Sequence, residues 1–149
     1  MKISIILPAV LVFVGCASEP VVQRAETLPS AVTRIEDSWV QLFDGPNFTG
    51  RSLTVKYPMD ILTLREVATD DGTKGFDDKA SSVKWCLPQG HSFVIYQDLN
   101  FGGKQLELKG NGAIQQINDL DRQGQIGNQA SSARWLRNTD ERILLPTGR

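Results

Sequence analysis

The chain has 149 residues, of which 16 are basic and 17 are acidic, so its formal net charge at pH 7 is −1. This length is sufficient for one domain with its own hydrophobic core. The charges form no basic stripe, and this argues against nucleic acid as a partner.

An apolar segment begins the chain and ends at a cysteine. Lys2 is followed by a nearly continuous apolar run over residues 3–14, and Gly15 and Cys16 come next. The run is shorter than the about 20 residues that a membrane-spanning helix needs. It has the pattern of an export signal, so residues 1–15 are predicted to be a signal peptide.

The end of this segment, Val14-Gly15-Cys16, is similar to the lipobox of bacterial lipoproteins. The resemblance implies that Cys16 is acylated, and the lipid would anchor the protein to the membrane without spanning it. No acidic retention signal follows Cys16, which by resemblance suggests the outer membrane of the cell envelope. Ordinary cleavage after Ala17 or Ser18 is the alternative.

The remaining chain divides into three parts. Residues 16–37 contain two prolines and mixed charges without periodicity, which predicts a linker. Residues 32–35 could pack on the domain that follows. Residues 38–137 are predicted to be the folded domain, and residues 138–149 form a polar tail.

The predicted domain is an internal duplication. The stretch Phe43–Gly50 recurs as Tyr96–Gly103, and each copy contains an aromatic residue, four further residues, Phe, one residue and Gly. A second block, Phe76–Trp85, recurs in the same order as Ile126–Trp135. Two ordered blocks repeated in the same order indicate two copies of one structural unit.

Each first block has the pattern of a β-hairpin. Val40 and Leu42 alternate with other residues before the turn, and Leu53 and Val55 alternate after it, as in half-buried strands. The glycine that ends each copy is expected to adopt a positive φ or to lie under a ring. Each second block ends in a predicted closing strand.

Between the two blocks of each copy, apolar residues recur at short helical spacing, so short helical pieces are predicted in these loops. The positions are Ile61, Leu62, Leu64 and Val67 in the first copy and Ile114, Ile117 and Leu120 in the second.

Several residues of types that often have functional roles have simple structural interpretations in this sequence. Trp39, Trp85 and Trp135 lie at the edges of the repeated blocks and are predicted to pack in the core, with carbohydrate stacking as the alternative. Cys86 is predicted to be a small buried hydrophobe. His91, the single histidine, lies in a predicted turn. No hydrolase, metalloprotease or redox motif is present, so the protein is predicted not to be an enzyme.

The duplicated hairpin signature, followed by Asp77–Ser82, resembles the βγ-crystallin family. The resemblance implies an all-β fold in which two Greek-key motifs, at about residues 38–87 and 91–137, form one β-sandwich. Some other duplicated β-sandwich is the alternative.

The resemblance also implies calcium sites. Calcium takes six to eight oxygen ligands, and Asp77–Ser82 fits the calcium-loop pattern of the family fully. In the family, each site joins the serine loop of one motif to the hairpin turn of the other. The predicted calcium site therefore comprises Asp77, Asp78, the carbonyl of Lys79, Ser81 and Gln97.

A second site, predicted to be weak or vacant, comprises Asp44, Asn128, Gln129 and Ser131. Gly127 stands in it where the family has Asn or Asp, so the loop contributes no carboxylate. The alternative for both loops is structural: Ser82 and Ser132 could hold the hairpins through hydrogen bonds.

Two functions follow from these expectations. The first is a calcium-binding βγ-crystallin-type envelope lipoprotein with a structural or stress-protective role. The second is a calcium-independent interaction or inhibitor module that binds an envelope protein partner.

Overall fold

The computed structural model describes residues 27–122 and 126–136. The predicted signal peptide, the predicted lipidation site Cys16 and the polar tail lie outside the described residues. None of the described residues belongs to a helix that is long and apolar enough to cross a membrane.

The described chain is all-β, as predicted, and its only helices are short 3₁₀ turns at Ile35–Asp37, Pro46–Phe48 and Leu99–Phe101. The strands are β1 (Trp39–Phe43), β2 (Ser52–Lys56), β3 (Ser82–Cys86), β4 (Ser92–Tyr96), β5 (Gln105–Lys109), β6 (Ile114–Ile117) and β7 (Ser132–Leu136).

The strands form two antiparallel sheets, with the orders β2-β1-β3-β6 and β5-β4-β7. In the first sheet Val40 of β1 lies opposite Val55 of β2 on one side and Trp85 of β3 on the other. Strand β6 comes from the second repeat but pairs with β3 of the first, with Cys86 opposite Ile114. This exchange joins the two Greek-key motifs into one sandwich, which confirms the predicted fold class.

In the first sheet β6 pairs with the outer edge of β3, and at the equivalent edge of β7 in the second sheet there is a single β-bridge. Ile61 pairs with Ala133 of β7 through two backbone hydrogen bonds of 2.7 and 2.9 Å. Beyond this bridge, the carboxylate of Asp60 accepts a hydrogen bond of 2.9 Å from the backbone N–H of Trp135. The Trp135 indole donates to the carbonyl of Met59 at 3.0 Å. A side chain and a bridge therefore satisfy the outer edge of β7 in place of a full strand.

Both predicted helical pieces are absent from their loops. Residues 57–74 contain turns, bends and bridges, and Ile114–Ile117 is strand β6. The helical spacing was misleading because the unpaired edges of β3 and β7 offer backbone hydrogen bonds. Such tertiary pairing overrides a weak local pattern.

The core lies between the two sheets and is built from the alternating positions of both repeats. The largest fully buried side chains include Phe76, Phe93, Leu42, Leu64, Leu87, Ile95, Leu108, Leu120 and Ile126. The three tryptophans are at most 6% exposed, so they pack in the interior and present no face for carbohydrate stacking.

The end of the predicted linker packs on the domain. The backbone N–H of Val32 donates to the carbonyl of Gly112 at 2.9 Å, and the Trp39 indole donates to the carbonyl of Pro29 at 2.9 Å. Val32, Trp39 and Cys86 form a small buried cluster of their own, with Leu28 against it. The folded unit thus includes residues before position 38. Burial raises the pKa of the Cys86 thiol, which keeps it protonated as a packing residue.

A turn over residues 69–73 is closed by one carboxylate. Asp71 accepts hydrogen bonds from the hydroxyls of Thr69 and Thr73 and from the backbone N–H of Thr73, at 2.5 to 2.9 Å. These donors, with the Thr69 hydroxyl contributing most, lower the pKa of Asp71 to about 2.

We predict that Asp71→Asn makes the free energy of unfolding depend less on pH in the acid range. The folded pKa of Asp71 lies below the unfolded value of about 3.9. The contribution of the carboxylate is therefore complete above that value and is lost as the pH falls towards 2. Urea unfolding across this range should show a smaller loss of stability in the variant. A difference between the two proteins that does not change with pH would contradict this assignment.

Candidate metal centre

Both hairpins fold back on themselves at residues with left-handed backbone. Asn47 and Phe48 have φ values of 53° and 63°, and Asn100 and Phe101 have 55° and 63°. Asparagine tolerates this region, but a positive φ is a strained conformation for phenylalanine. The surrounding structure must therefore hold the two phenylalanines in place. The predicted glycine positions also agree, with φ of 79° at Gly50 and of 71° in the second repeat.

The second serine of each serine block holds the folded hairpin. The buried hydroxyl of Ser82 donates to the carbonyl of Gly45 at 2.7 Å and accepts from the N–H of Phe48 at 2.9 Å. Ser132 does the same with the Asp98 carbonyl at 2.6 Å and the Phe101 N–H at 3.0 Å. Each hydroxyl therefore satisfies two backbone groups at the strained turn.

The rings of Phe43 and Phe48 pack together in the first hairpin and those of Tyr96 and Phe101 in the second, and a basic side chain lies over each pair. Lys84 Nζ lies 4.3 Å from the ring centroid of Phe48, and the guanidinium of Arg134 lies 5.0 Å from that of Phe101. Each repeat thus holds its hairpin with a buried serine, a pair of aromatic rings and a basic side chain, and we call this set the hairpin clamp. The contact between the basic group and the ring adds a cation–π attraction to the burial of the ring.

We predict that Ser82→Ala destabilises the domain by about 2–4 kcal/mol, because it leaves a partly buried donor and a partly buried acceptor without partners. The matched control is Ser92→Ala, whose hydroxyl contacts the exposed carboxylate of Glu107 and whose loss should cost under about 1 kcal/mol. Chemical denaturation measures both. Equal effects of the two substitutions would contradict the clamp.

The two serine loops pair with each other across a pseudo-twofold axis. The N–H of Asp78 donates to the carbonyl of Ala130 at 3.0 Å, and the N–H of Asn128 donates to that of Ala80 at 2.9 Å. Asp78 and Asn128 have φ values of 55° and 53°, which Asp and Asn adopt more readily than most residues. This pairing brings one acidic or amide side chain from each loop to the serine of the other.

Four oxygens meet at Ser81, and we refer to them as the first oxygen cluster. The Ser81 hydroxyl oxygen lies 3.1 Å from the Asp44 carbonyl, 3.0 Å from Oδ1 of Asn128 and 3.4 Å from the Lys79 carbonyl. A hydroxyl carries one proton and can satisfy one of these acceptors fully. The other two acceptors around Ser81 are left for a further donor or for a cation.

The second oxygen cluster is formed by Ser131 and Asp78. The Ser131 hydroxyl lies 3.4 Å from Oδ1 of Asp78. Ser131 and Ser81 are both 8% exposed, whereas Asp78 and Asn128 are exposed residues, so each cluster has a buried hydroxyl and a side opening to solvent. The side-chain contact mirrors that between Ser81 and Asn128, with a carboxylate in place of the amide.

Each serine loop contacts the hairpin turn of its own repeat, whereas the family resemblance implied the turn of the other repeat. The N–H of Ser81 donates to the carbonyl of Phe43 at 2.8 Å, because β3 lies beside β1 in the same sheet. Gln97, predicted to complete the first site, lies in the hairpin turn of the second repeat, where its backbone N–H donates to the carbonyl of Lys104. The exchange between repeats takes place between the two serine loops.

Because of this exchange, the side chain of Asp78 lies in a different cluster from Ser81 of its own loop. The carboxylate of Asp78 lies with Ser131, and the neutral amide of Asn128 lies with Ser81. The loop that matches the calcium pattern fully therefore places its Asp78 side chain in the other cluster.

Three other predicted residues have restricted roles. The Asp77 carboxylate binds Arg65 at 3.1 Å through Oδ2, and its Oδ1 is buried without a hydrogen-bond partner. The Asp44 carboxylate is held by the side chain of Arg51 at 2.9 Å, so Asp44 offers its carbonyl to the first cluster. Gln129 has an exposed side chain.

The donor atoms select a class of metal. Within residues 27–122 and 126–136, no group of three or more His, Cys, Asp or Glu side chains is placed to hold a metal ion. The clusters offer hydroxyl, carbonyl and amide oxygens, with one carboxylate at the second. Oxygen donors of this kind suit a hard cation such as calcium, whereas zinc and copper favour imidazole or thiolate.

No family model and no curated protein matches the sequence, but solved βγ-crystallin domains match the structure. A structure described under the evolution of the eye-lens βγ-crystallin domain fold is 22% identical, covers 74% of this chain and 93% of its own, and has a TM-score of 0.53. An archaeal βγ-crystallin is 23% identical, covers 66% and 98%, and has a TM-score of 0.48. A domain from Flavobacterium johnsoniae is 23% identical, covers 66% and 94%, and also has a TM-score of 0.48.

The first of these similarities shows the fold. The chain has the βγ-crystallin fold, and the resemblance expected from the duplicated hairpin and serine block is confirmed at that level.

Proposed function

We propose that this domain binds calcium at the paired serine loops and acts as a structural or stress-protective module of the bacterial cell envelope. The observation that carries the proposal is the convergence of three acceptor oxygens on the hydroxyl of Ser81. A bound cation would compensate acceptors that one proton cannot satisfy. Water and further carbonyls would complete the six to eight ligands that calcium takes.

The contacts favour the second oxygen cluster as the tighter site. Calcium affinity rises with the number of charged ligands, and the Asp78 carboxylate faces Ser131. The first cluster has a neutral amide from Asn128 at the equivalent place. We therefore propose the reverse of the order expected from the loop sequences.

Calcium would tune the stability of the domain without being needed for its fold. The sandwich has a continuous core and hydroxyl clamps that involve no cation. An ion at ten times its dissociation constant would add about 1.4 kcal/mol, which corresponds to a rise in melting temperature of roughly 6 °C or more for a domain of this size.

We predict that Asp78→Asn weakens the tighter calcium site at least about tenfold, because it removes the one carboxylate that faces Ser131. Asparagine keeps an oxygen donor and tolerates the positive φ of this position. Ser81→Ala should affect only the weaker site. Calorimetry and thermal melting of residues 17–149 would measure both effects.

The exposed substitution Glu36→Gln is the matched control for a lost charge and should leave both affinities unchanged. Absence of binding heat and of any melting shift up to about 10 mM calcium, beyond the range of extracellular modules, would overturn the calcium proposal.

We further propose that Cys16 carries the lipid anchor that holds the protein in the envelope, as its lipobox-like setting suggests. We predict that Cys16→Ser moves the protein from the membrane fraction to the soluble fraction and abolishes labelling by a tagged fatty acid. Cys86→Ser is the control and should keep both properties. Membrane association that persists in Cys16→Ser would contradict the anchor.

A second candidate function is a calcium-independent interaction module that binds an envelope protein. Large apolar side chains support it: Leu62 is 57% exposed and Leu99 is 44% exposed. Their segments are adjacent, since the N–H of Asn100 donates to the carbonyl of Leu62 at 3.1 Å. A stoichiometric partner retained from envelope extract in the presence of a calcium chelator, and lost with Leu62→Ser, would favour this function.

A further inference from the structure

The second serine loop lacks a side chain where the first carries Asp77, and the space is occupied by another residue. A Cβ added at Gly127 would lie 2.7 Å from the backbone nitrogen of Asp121 and 2.9 Å from its carboxylate carbon. Gly127 is not among the glycines with positive φ. The position therefore requires glycine for space, and the space is taken by Asp121.

Asp121 contacts the amide that faces the first oxygen cluster. Its Oδ2 accepts a hydrogen bond of 2.8 Å from Nδ2 of Asn128, whose Oδ1 lies 3.0 Å from the Ser81 hydroxyl. An ionised carboxylate only accepts hydrogen bonds, whereas an amide has one donor end and one acceptor end. Asp121 thus favours the amide orientation in which NH₂ points to Asp121 and oxygen points into the cluster.

The position equivalent to Asp121 in the first repeat is occupied by a basic residue. The N–H of Leu64 donates to the Ser131 carbonyl, and the N–H of Leu120 donates to the Ser81 carbonyl. The residue after each leucine is therefore equivalent: Arg65 in the first repeat and Asp121 in the second.

Arg65 pairs with Asp77 of the serine loop at 3.1 Å. In the second repeat the carboxylate belongs to Asp121, the residue after the leucine, and the serine loop has Gly127 at the position of Asp77. Each repeat therefore has one carboxylate at this place, supplied from opposite sides.

We propose that Asp121 is a positioning residue for the first oxygen cluster. It replaces the acidic side chain that Gly127 lacks, and it holds Asn128 with its carbonyl oxygen towards the bound cation. The departure of the second loop from the calcium pattern is compensated from outside that loop. The cation part of this inference rests on the proposed calcium function, whereas the contact between Asp121 and Asn128 does not.

The contact is tested first in metal-free protein by NMR of the Asn128 side-chain NH₂ group. Asp121→Ala should move this signal and bring its hydrogen exchange towards the rate of an exposed amide. Asp37→Ala, a change at a distant carboxylate, should leave the signal in place. An Asn128 NH₂ signal that is unchanged in Asp121→Ala would overturn the assignment, whatever the calcium result.

The positioning role is tested by calcium calorimetry of Asp121→Asn and Asp121→Glu. Both should weaken the first-cluster site by roughly threefold or more, because neither keeps a short carboxylate at Asn128, and the site of Ser131 and Asp78 should keep its affinity within about twofold. Full rescue by Asp121→Glu would show that only charge matters and would overturn positioning. Absence of calcium binding in the unsubstituted protein would overturn the calcium function and, with it, the cation part of this inference.

A charge-swap pair provides a test that does not depend on calcium. Gly127→Asp alone should lower the melting temperature, since the new side chain meets the Asp121 carboxylate. Adding Asp121→Arg should recover part of the loss by pairing the two new side chains as Arg65 pairs with Asp77, while the close approach of the new Cβ to the backbone nitrogen of residue 121 remains. Gly127→Asp with unchanged stability, or a double variant no more stable than Gly127→Asp, would contradict the proposed replacement.

Discussion

The structure depends on two reciprocal backbone hydrogen bonds between the serine loops. They join Asp78 to Ala130 and Asn128 to Ala80 at about the same length. To make them, both donors adopt left-handed backbone, which Asp and Asn tolerate better than most residues. The same two residues extend their side chains to the serine of the opposite loop. One constraint therefore explains the backbone conformation, the residue types and the exchange of oxygen donors between repeats.

The two serines of each loop have different contacts. Ser82 and Ser132 are completely buried and hold the strained hairpins, which agrees with the structural interpretation of these residues. Ser81 and Ser131 face the oxygen clusters. The structural role and the proposed cation-binding role therefore fall on neighbouring serines and do not compete.

The duplication made most of the fold predictable. A repeated hairpin signature and a repeated serine block place β1, β2 and β3 in one copy and their counterparts in the other, and the alternating apolar positions of β1 and β2 are indeed the buried ones. Strand β6 was not predictable in this way. Its residues Ile114–Ile117 have little burial contrast, and their conformation is decided by the unpaired edge of β3 in the other repeat.

The candidate site was predictable in its residue types and less so in their grouping. The oxygen-rich loops are visible in the sequence, but the pairing of Asp78 with Ser131 depends on a contact 53 residues apart. Only one feature of the sequence, the glycine at position 127, points to the proposed role of Asp121. That glycine indicated a missing ligand, whereas the structure shows that it makes room for a carboxylate from elsewhere.

The shared construction of the clusters has an evolutionary consequence. The first oxygen cluster takes donors from the serine loop of one repeat and from Asn128 of the other. A chain with a single repeat could assemble such a cluster only by pairing with a second copy, because homodimers with twofold symmetry place equivalent residues opposite each other. Gene duplication and fusion would convert that intermolecular site into an intramolecular one. The two halves could then diverge, and the differences between Asp77 and Gly127, and between Arg65 and Asp121, are the kind that a symmetric dimer of identical chains cannot carry.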